Sequence, residues 1–155
     1  MSITYQEVLF SETYIDIYPM LQDHWDELGQ AGGFKDFNLD FAKYQYMEER
    51  GLLVCAVAMK DGAIIGYMCY VLDPMGHNSK YMRAISDAMY VVPKYRETIA
   101  GVGNRLLKFA EKRLHDVYGA KAISIGVNVN YDLSGFLEKS GYTKSEVVYL
   151  KTLGD

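Results

Sequence analysis

The pattern of apolar and polar positions is most regular between residues 84 and 118. Residues 84–92, AISDAMYVV, form an apolar run rich in β-branched and aromatic side chains, which predicts a buried strand. Pro93 has no N–H to give to a sheet and therefore ends that strand. Helical spacing of apolar residues then predicts a helix that packs on a sheet. Its apolar positions are Val102, Leu106, Leu107, Ala110, Leu114, Val117 and Tyr118.

The residues before this stretch predict a strand, two helices and a hairpin. Residues 3–10 alternate as a first strand, and a helix starts at about Tyr18 with Pro19 in its first turn. A second helix, capped by Asn38 or Asp40, runs to Gly51. Two apolar runs then flank an Asp-Gly pair, the strongest short signal for a β-hairpin. Both runs are apolar on both faces, so we expect helices on both sides of the sheet.

The remaining segments complete the predicted order of elements. Residues 73–79 are polar and predict a loop, in which His77 has no partner in sequence and is interpreted as solvated. After the helix that follows Pro93, residues 121–129 predict a strand, residues 130–140 a short helix and residues 142–153 a last strand.

Composition and charge restrict the class of protein. The chain has 155 residues, half of them hydrophobic, which suits one domain with a sizeable core. Its net charge of -4, without a basic run, argues against non-specific nucleic-acid binding. We expect no membrane span, no signal peptide and no metal site, and we expect Cys55 and Cys69 to be buried free thiols. The expected location is the cytoplasm.

The junction between the central strand and its helix predicts an anion site. The first N–H groups of a helix lack helical acceptors, the helix dipole adds positive charge, and glycines let a phosphate approach closely. Gly101 and Gly103 stand at this junction, and Arg96 adds a cation. Taken alone, however, the glycine pair is more often a simple turn.

The sequence around this junction resembles the coenzyme A loop of the GNAT N-acetyltransferase family, V-x-P-x-x-R-x-x-G-x-G/A-x-x-L-L. The matching residues, in order, are Val91, Pro93, Arg96, Gly101, Gly103, Leu106 and Leu107. Two departures stand out. The loop between Arg96 and Gly101 is two residues longer than the family pattern, and Thr98 occupies a position where the family has Gln or Arg.

A second segment resembles the later signature of the same family, N-x-x-A-x-x-L-Y-x-x-x-G-F. Asn130, Phe136, Gly141 and Tyr142 occupy its positions, and Leu133 replaces the Ala. Leu137 stands where many members carry the Tyr that protonates the departing thiolate, so Tyr131 is the nearest substitute. A Tyr that merely packs at the start of a helix is an equally good interpretation of Tyr131.

The resemblance implies a fold, a cofactor and a set of site residues. It implies one GNAT domain over residues 1–155, of class α/β (α+β), with a mixed, mainly antiparallel sheet of six to seven strands and helices on both faces. The closest likeness is to small GNAT proteins of phages and bacteria. Acetyl-CoA would be bound by Met89, Tyr90, Val91, Val92, Arg96, Thr98, Ile99, Ala100, Gly101, Val102, Gly103, Asn104, Asn130 and Phe136. The acceptor would lie near His24, Trp25, Phe34 and Tyr44.

The implied chemistry is direct attack of a primary amine on the thioester of acetyl-CoA. Backbone N–H groups near Val91 and Val92 would polarise the carbonyl, and a base must take the proton of the amine. Asp87 is the predicted base, because an aspartate in so apolar a strand costs free energy unless it is used. Strand periodicity places it on the face of Met89 and Val91. A structural, hydrogen-bonded Asp87 is the competing interpretation.

Two further function classes stay open. A coenzyme A-binding interaction or regulatory module without catalysis would explain Leu137. Generic nucleotide binding is disfavoured, because Asn104-Arg105 follows the glycines instead of the Lys-Ser/Thr of a Walker loop. The expected partners are a small-molecule or protein amine and a second copy in a homodimer.

Overall fold

One mixed sheet and four α-helices form from the part of the chain that the computed structural model describes, residues 2–28, 36–75, 77–97 and 101–154. The strands are β1 (Ile3–Val8), β2 (Leu53–Lys60), β3 (Ala63–Met75), β4 (Asn78–Val91) and β5 (Ala120–Ser124). The helices are α1 (Phe10–Glu27), α2 (Phe41–Glu49), α3 (Val102–Asp116) and α4 (Ser134–Lys139), and a 3₁₀ turn spans Pro93–Tyr95.

The sheet is mostly antiparallel, with strand order β1-β2-β3-β4-β5. Neighbouring strands are antiparallel except β4 and β5, which run parallel. The predicted mixed, mainly antiparallel sheet is therefore confirmed, but six to seven strands are not, since the described residues form five.

The residues fall into two compact units. One comprises Met1–Tyr18 and Asp40–Ile125 and contains the whole sheet, α2 and α3. The other comprises Pro19–Leu39 and Gly126–Asp155 and contains α4. We refer to them as the sheet unit and the small unit.

Two elements of the sheet unit, the β2–β3 hairpin and α3, form as their sequence patterns predict. Asp61 and Gly62 have φ of 51° and 80°, the left-handed conformations that a two-residue hairpin requires, and the predicted hairpin of β2 and β3 is confirmed. The predicted stripe of α3 is also confirmed. Its fully buried members are Val102, Leu106, Leu107, Ala110 and Leu114, whereas Val117 is 53% exposed.

The first helix begins earlier than predicted. It starts at Phe10 and contains Pro19 in its interior, rather than starting at Tyr18. The N–H and hydroxyl of Ser11 both donate to the carboxylate of Glu48, at 3.0 and 2.6 Å. A side chain from α2 thus satisfies donors in the first turn of α1, and a partner so distant in sequence is invisible to a local pattern.

The polar segment 73–79 is not the loop that was predicted. β3 continues to Met75 and β4 begins at Asn78, so most of the segment extends the hairpin. Asp73 is paired across the ladder with Arg83, whose Nη2 donates to Oδ2 at 3.1 Å. This cross-strand ion pair stabilises strand residues whose polarity suggested a turn.

The end of the chain also differs from the prediction. β5 ends at Ser124 rather than continuing to residue 129, and residues 142–153 form no strand. Val148, Tyr149 and Leu153 in this segment are 84%, 90% and 89% exposed. Strand propensity needs a neighbouring ladder to act on, and no described strand is paired with this segment.

Candidate active site

A β-bulge in β4 determines where Asp87 points. Cys69 of β3 lies opposite Ala88 and the next residue, Tyr70, lies opposite Ser86, so Asp87 is the extra residue of the bulge. Met89 pairs with Met68, on the face of the sheet that α3 covers. The Asp87 carboxylate is bound instead to α2, so the prediction that it shares a face with Met89 and Val91 is wrong. Bulges disturb the two-residue period and redirect side chains in this way.

Tyr44 and Asp87 are brought together, although 43 residues separate them in sequence. The Tyr44 hydroxyl donates a hydrogen bond of 2.7 Å to Oδ2 of Asp87. The pKa of Tyr44 is raised far above its ordinary value, first by burial and then by the negative charge of Asp87 and the hydrogen bond to it. The phenol therefore keeps its proton at any working pH and acts as a donor.

An aromatic cluster, consisting of Phe10 and Tyr14 of α1 with Phe41 and Tyr44 of α2, holds Tyr44 in place. The ring centroids of Phe10 and Tyr44 lie 5.0 Å apart, and those of Tyr14 and Phe41 lie 4.3 Å apart. Phe10 is 3% exposed and anchors the cluster. Aromatic contacts of this kind add stability beyond the area they bury.

The edge of β4 is uncovered over the half that follows the bulge. β5 pairs with β4 only as far as Ile85, so among the described strands Ser86–Val91 have a neighbour on one side only, β3. The N–H of Val92 donates to the carbonyl oxygen of Ile65 in β3. Because successive residues of a strand point their N–H groups in opposite directions, the N–H of Val91 points toward the uncovered edge.

Arg96 is fixed at the same edge. Its Nε donates to the carbonyl oxygen of Val91 at 2.7 Å, and its guanidinium carbon lies 5.1 Å from the centroid of the Tyr90 ring. A guanidinium bonded through Nε and stacked on a ring is held in one orientation. The predicted cation therefore lies beside the uncovered edge of β4.

The N-terminus of α3 has the geometry of an anion site. Gly101 is the N-cap residue with φ of 58°, and a Cβ at this position would meet nothing within 4 Å. The first helical bond runs from the N–H of Arg105 to the carbonyl of Gly101, so the N–H groups of Val102, Gly103 and Asn104 have no acceptor within the helix. Thr98, Ile99 and Ala100, predicted to bind the cofactor, and Phe34, predicted near the acceptor, lie outside the described residues.

The small unit contains the remaining predicted residues. Asn130 donates from Nδ2 to the carbonyl oxygen of Leu28, at 2.7 Å, and so caps the end of α1. Tyr131 and Asn128 form an isolated β-bridge, and Phe136 lies in α4. The ring of Trp25 lies 6.2 Å from that of Phe37, and His24 is half-buried on α1. Leu137 is 6% exposed and belongs to the interior.

Two groups near Asp87, Tyr67 and Cys69, were not predicted from the sequence to be its neighbours. Tyr67 is fully buried on the face of Cys69, with its ring stacked 5.8 Å from that of Tyr90. Burial raises the pKa of Tyr67, and a hydrogen bond with Cys55, followed by burial, raises the pKa of Cys69. The predicted buried free thiols are confirmed. The alternation around Tyr67 marks a buried residue, but no sequence signal shows the bulge that brings Asp87 to it.

The described residues contain neither a candidate metal site nor a candidate membrane-spanning helix. No group of three or more His, Cys, Asp or Glu is arranged to ligate a metal ion there. Among the same residues, none of the helices combines the length and apolar character needed to cross a bilayer.

A sequence profile described as the acetyltransferase (GNAT) family matches residues 15–142. No curated protein matches the chain in sequence. An aminoglycoside acetyltransferase from an uncultured soil metagenomic sample has a similar structure, with a TM-score of 0.74, 13% identity and 100% of both chains covered.

Two other solved structures are similar in fold. The ribosomal-protein-alanine N-acetyltransferase from Brucella melitensis biovar Abortus 2308 has a TM-score of 0.73 at 13% identity, covering 99% of this chain and 100% of that one. Glucosamine-6-phosphate N-acetyltransferase from Arabidopsis thaliana has a TM-score of 0.68 at 12% identity, covering 99% and 100%.

Proposed function

Because the chain belongs to the acetyltransferase (GNAT) family and is therefore an N-acetyltransferase, we propose that it takes its acetyl group from acetyl-CoA and that a primary amine attacks the thioester directly. The observation that carries this proposal is the edge of β4 that β5 leaves unpaired after Ile85. We propose that one domain of this family spans residues 1–155.

The residues at this edge fit the chemistry of coenzyme A. A pyrophosphate needs N–H donors and positive charge, which the first turn of α3 and Arg96 supply. The open space at Gly101 lets an anion approach the backbone. An extended amide-bearing arm fits an uncovered strand edge, so Met89, Tyr90 and Val91 would bind the pantetheine. Thr98, Ile99 and Ala100 stay predicted contacts of the same group.

The N–H of Val91 is proposed to polarise the thioester carbonyl of acetyl-CoA. Both Val91 and Val92 were candidates, but the N–H of Val92 is used within the sheet. The N–H of Val91 points to the uncovered edge and is the better donor to an oxygen that gains negative charge.

Asp87 is the proposed base. Acetyl-CoA supplies an acetyl group activated as a thioester, and Asp87 takes the proton that the amine must lose before or during attack. Its side chain is exposed and its Oδ2 is already held by Tyr44, which leaves Oδ1 to accept a proton. Tyr131 is proposed as the acid that protonates the thiolate, in place of the family Tyr that Leu137 replaces.

The acceptor is proposed to be a small-molecule or protein amine, near His24, Trp25 and Phe34. The similar structures include enzymes named for aminoglycosides, a ribosomal protein and glucosamine-6-phosphate, all of which carry amines. Asn130 and Phe136 are proposed to support coenzyme A binding. We also propose a cytoplasmic location and a homodimer. No role for nucleic acid is proposed, because the net charge is -4.

Two glycine variants test the cofactor site. Gly101 and Gly119 both have positive φ, 58° and 70°, and neither would place a Cβ within 4 Å of another group. Each Gly→Ala change should therefore cost about 1 kcal/mol of stability from backbone strain. Only Gly101→Ala displaces the N-cap of α3, so titration calorimetry should show at least about tenfold weaker acetyl-CoA binding for it. Equal binding by both variants, or no heat with the wild type, would contradict the site.

A further inference from the structure

We propose that Tyr44 is a positioning residue that holds the carboxylate of Asp87 for acetyl transfer. This inference rests on the proposed function, in which Asp87 is the base. The 2.7 Å hydrogen bond from the Tyr44 hydroxyl to Oδ2 of Asp87 carries it. Charge-assisted bonds of this length have a definite geometry and are stronger than neutral ones.

Asp87 needs an external support because of its place in β4. As the extra residue of a bulge it lacks a partner residue on β3, and its side chain is exposed to water. An exposed aspartate on an irregular backbone would sample several rotamers. No described residue donates to Oδ1, so the bond from Tyr44 fixes one oxygen and leaves the other to accept a proton.

Tyr44 is itself well held. Asp40 caps α2 by accepting from the N–H of Lys43 at 3.0 Å, and the aromatic cluster packs the Tyr44 ring against Phe10. A donor must be rigid to orient its acceptor, since a side chain that moves with its partner positions nothing. The cap and the cluster give α2 this rigidity.

The titratable groups of the described structure that face Asp87 keep their protons. The titratable groups that face it are Tyr44 from α2 and Tyr67 and Cys69 from β3, with Cys55 of β2 bonded to Cys69. Burial raises the pKa of both tyrosines, and the hydrogen bond with Cys55 raises that of Cys69, so all three are neutral at physiological pH. Tyr44 therefore orients the carboxylate without exchanging its own proton.

Two hydroxyl deletions within the aromatic cluster test the inference kinetically. Tyr44→Phe removes the donor to Asp87, while Tyr14→Phe removes a hydroxyl from the neighbouring ring of the same cluster. Tyr44→Phe should lower kcat about tenfold with KM for acetyl-CoA unchanged, because only the orientation of the base is lost. Tyr14→Phe should leave both constants at the wild-type values. Wild-type kcat in Tyr44→Phe would overturn the inference, and so would an equal loss in both variants.

A second measurement does not depend on activity. A double-mutant cycle with Tyr44→Phe and Asp87→Ala, followed by urea unfolding, should show a coupling of about fivefold in the unfolding equilibrium constant. A crystal structure of Tyr44→Phe should show more than one rotamer of Asp87. Additive effects with a single Asp87 rotamer would overturn the positioning role. A wild type that is inactive with every amine refutes the proposed function instead, and the cycle still decides the role of Tyr44.

Discussion

Glu7 shows at the residue scale how one carboxylate joins two elements. Its Oε1 accepts from Nε and Nη2 of Arg113, at 3.2 and 3.0 Å, and its Oε2 accepts from the hydroxyl of Tyr118. Partial burial, followed by the bond to Glu7, raises the pKa of Tyr118 to about 12. β1 is thereby tied to the helix that carries the proposed anion site.

Tyr118 gives a pH-dependent prediction for stability. Because its folded pKa of about 12 lies above the ordinary value of 10.0, its contribution is complete below pH 10 and is lost between pH 10 and 12. Tyr118→Phe should lower the free energy of unfolding by about 0.5–1 kcal/mol at pH 8, a figure discounted for solvent exposure. The difference in unfolding free energy between the wild type and Tyr118→Phe should become smaller as the pH rises from 10 to 12. Tyr81→Phe, which removes the hydroxyl of a 45% exposed residue, is the control. If this difference stays constant from pH 10 to 12, the Tyr118 hydroxyl does not stabilise the fold in the way proposed.

Some residues of the proposed site could be predicted from the sequence, whereas their contacts could not. Asp87 stood out as a carboxylate in an apolar strand, and Arg96 and Gly101 stood out through a family motif. The face of Asp87 could not be predicted, because a bulge depends on how two strands pair. The partnership with Tyr44 depends on packing across 43 residues of sequence, which no local pattern records.

At the scale of elements, α2 illustrates a helix held by its cap. The helix has no fully buried residue, so it depends on its ends and on partly buried aromatic contacts. Of the two residues considered as its cap, Asp40 is the one whose side chain accepts from the helix, at the N–H of Lys43. The orientation of Tyr44 therefore depends on this N-terminus.

Removal of the cap gives a matched pair of variants. Asp40→Ala should cost about 1 kcal/mol of unfolding free energy, because one N–H of the first turn loses its acceptor. Asn38→Ala, a change of similar size two residues away, should cost less than about 0.5 kcal/mol. Urea denaturation measures both. Equal losses in the two variants would show that the side chain of Asp40 is not the cap.

Elements with a strong internal signal were predictable, and those that depend on distant partners were not. The Asp-Gly hairpin and the stripe of α3 follow from turn conformation and helical period. The start of α1 depends on Glu48 in another helix. Segment 142–153 has the composition of a strand but is paired with no described strand, so its strand propensity alone gave a wrong prediction.

At the scale of the molecule, the proposed site depends on how one sheet is assembled. Four strands pair antiparallel in chain order, and β5 joins in parallel after the crossover through α3. The parallel pairing ends at Ile85, which exposes the edge of β4 from Ser86 to Val91. That half-strand carries the N–H of Val91, the Val91 carbonyl oxygen that accepts from Arg96, and the bulge at Asp87. The residues that match the family profile, 15–142, include this half-strand.

Release of free thiol from acetyl-CoA, measured across a panel of small amines, aminoglycosides and N-terminal peptides, tests the central claim most directly. The wild type should release thiol with at least one amine. Asp87→Asn should bind acetyl-CoA as tightly in calorimetry, yet release thiol about 10²–10⁴-fold more slowly, because the amine keeps its proton. Equal rates for the two proteins would contradict Asp87 as the base, and binding without any release by the wild type would show a coenzyme A-binding module in place of an enzyme.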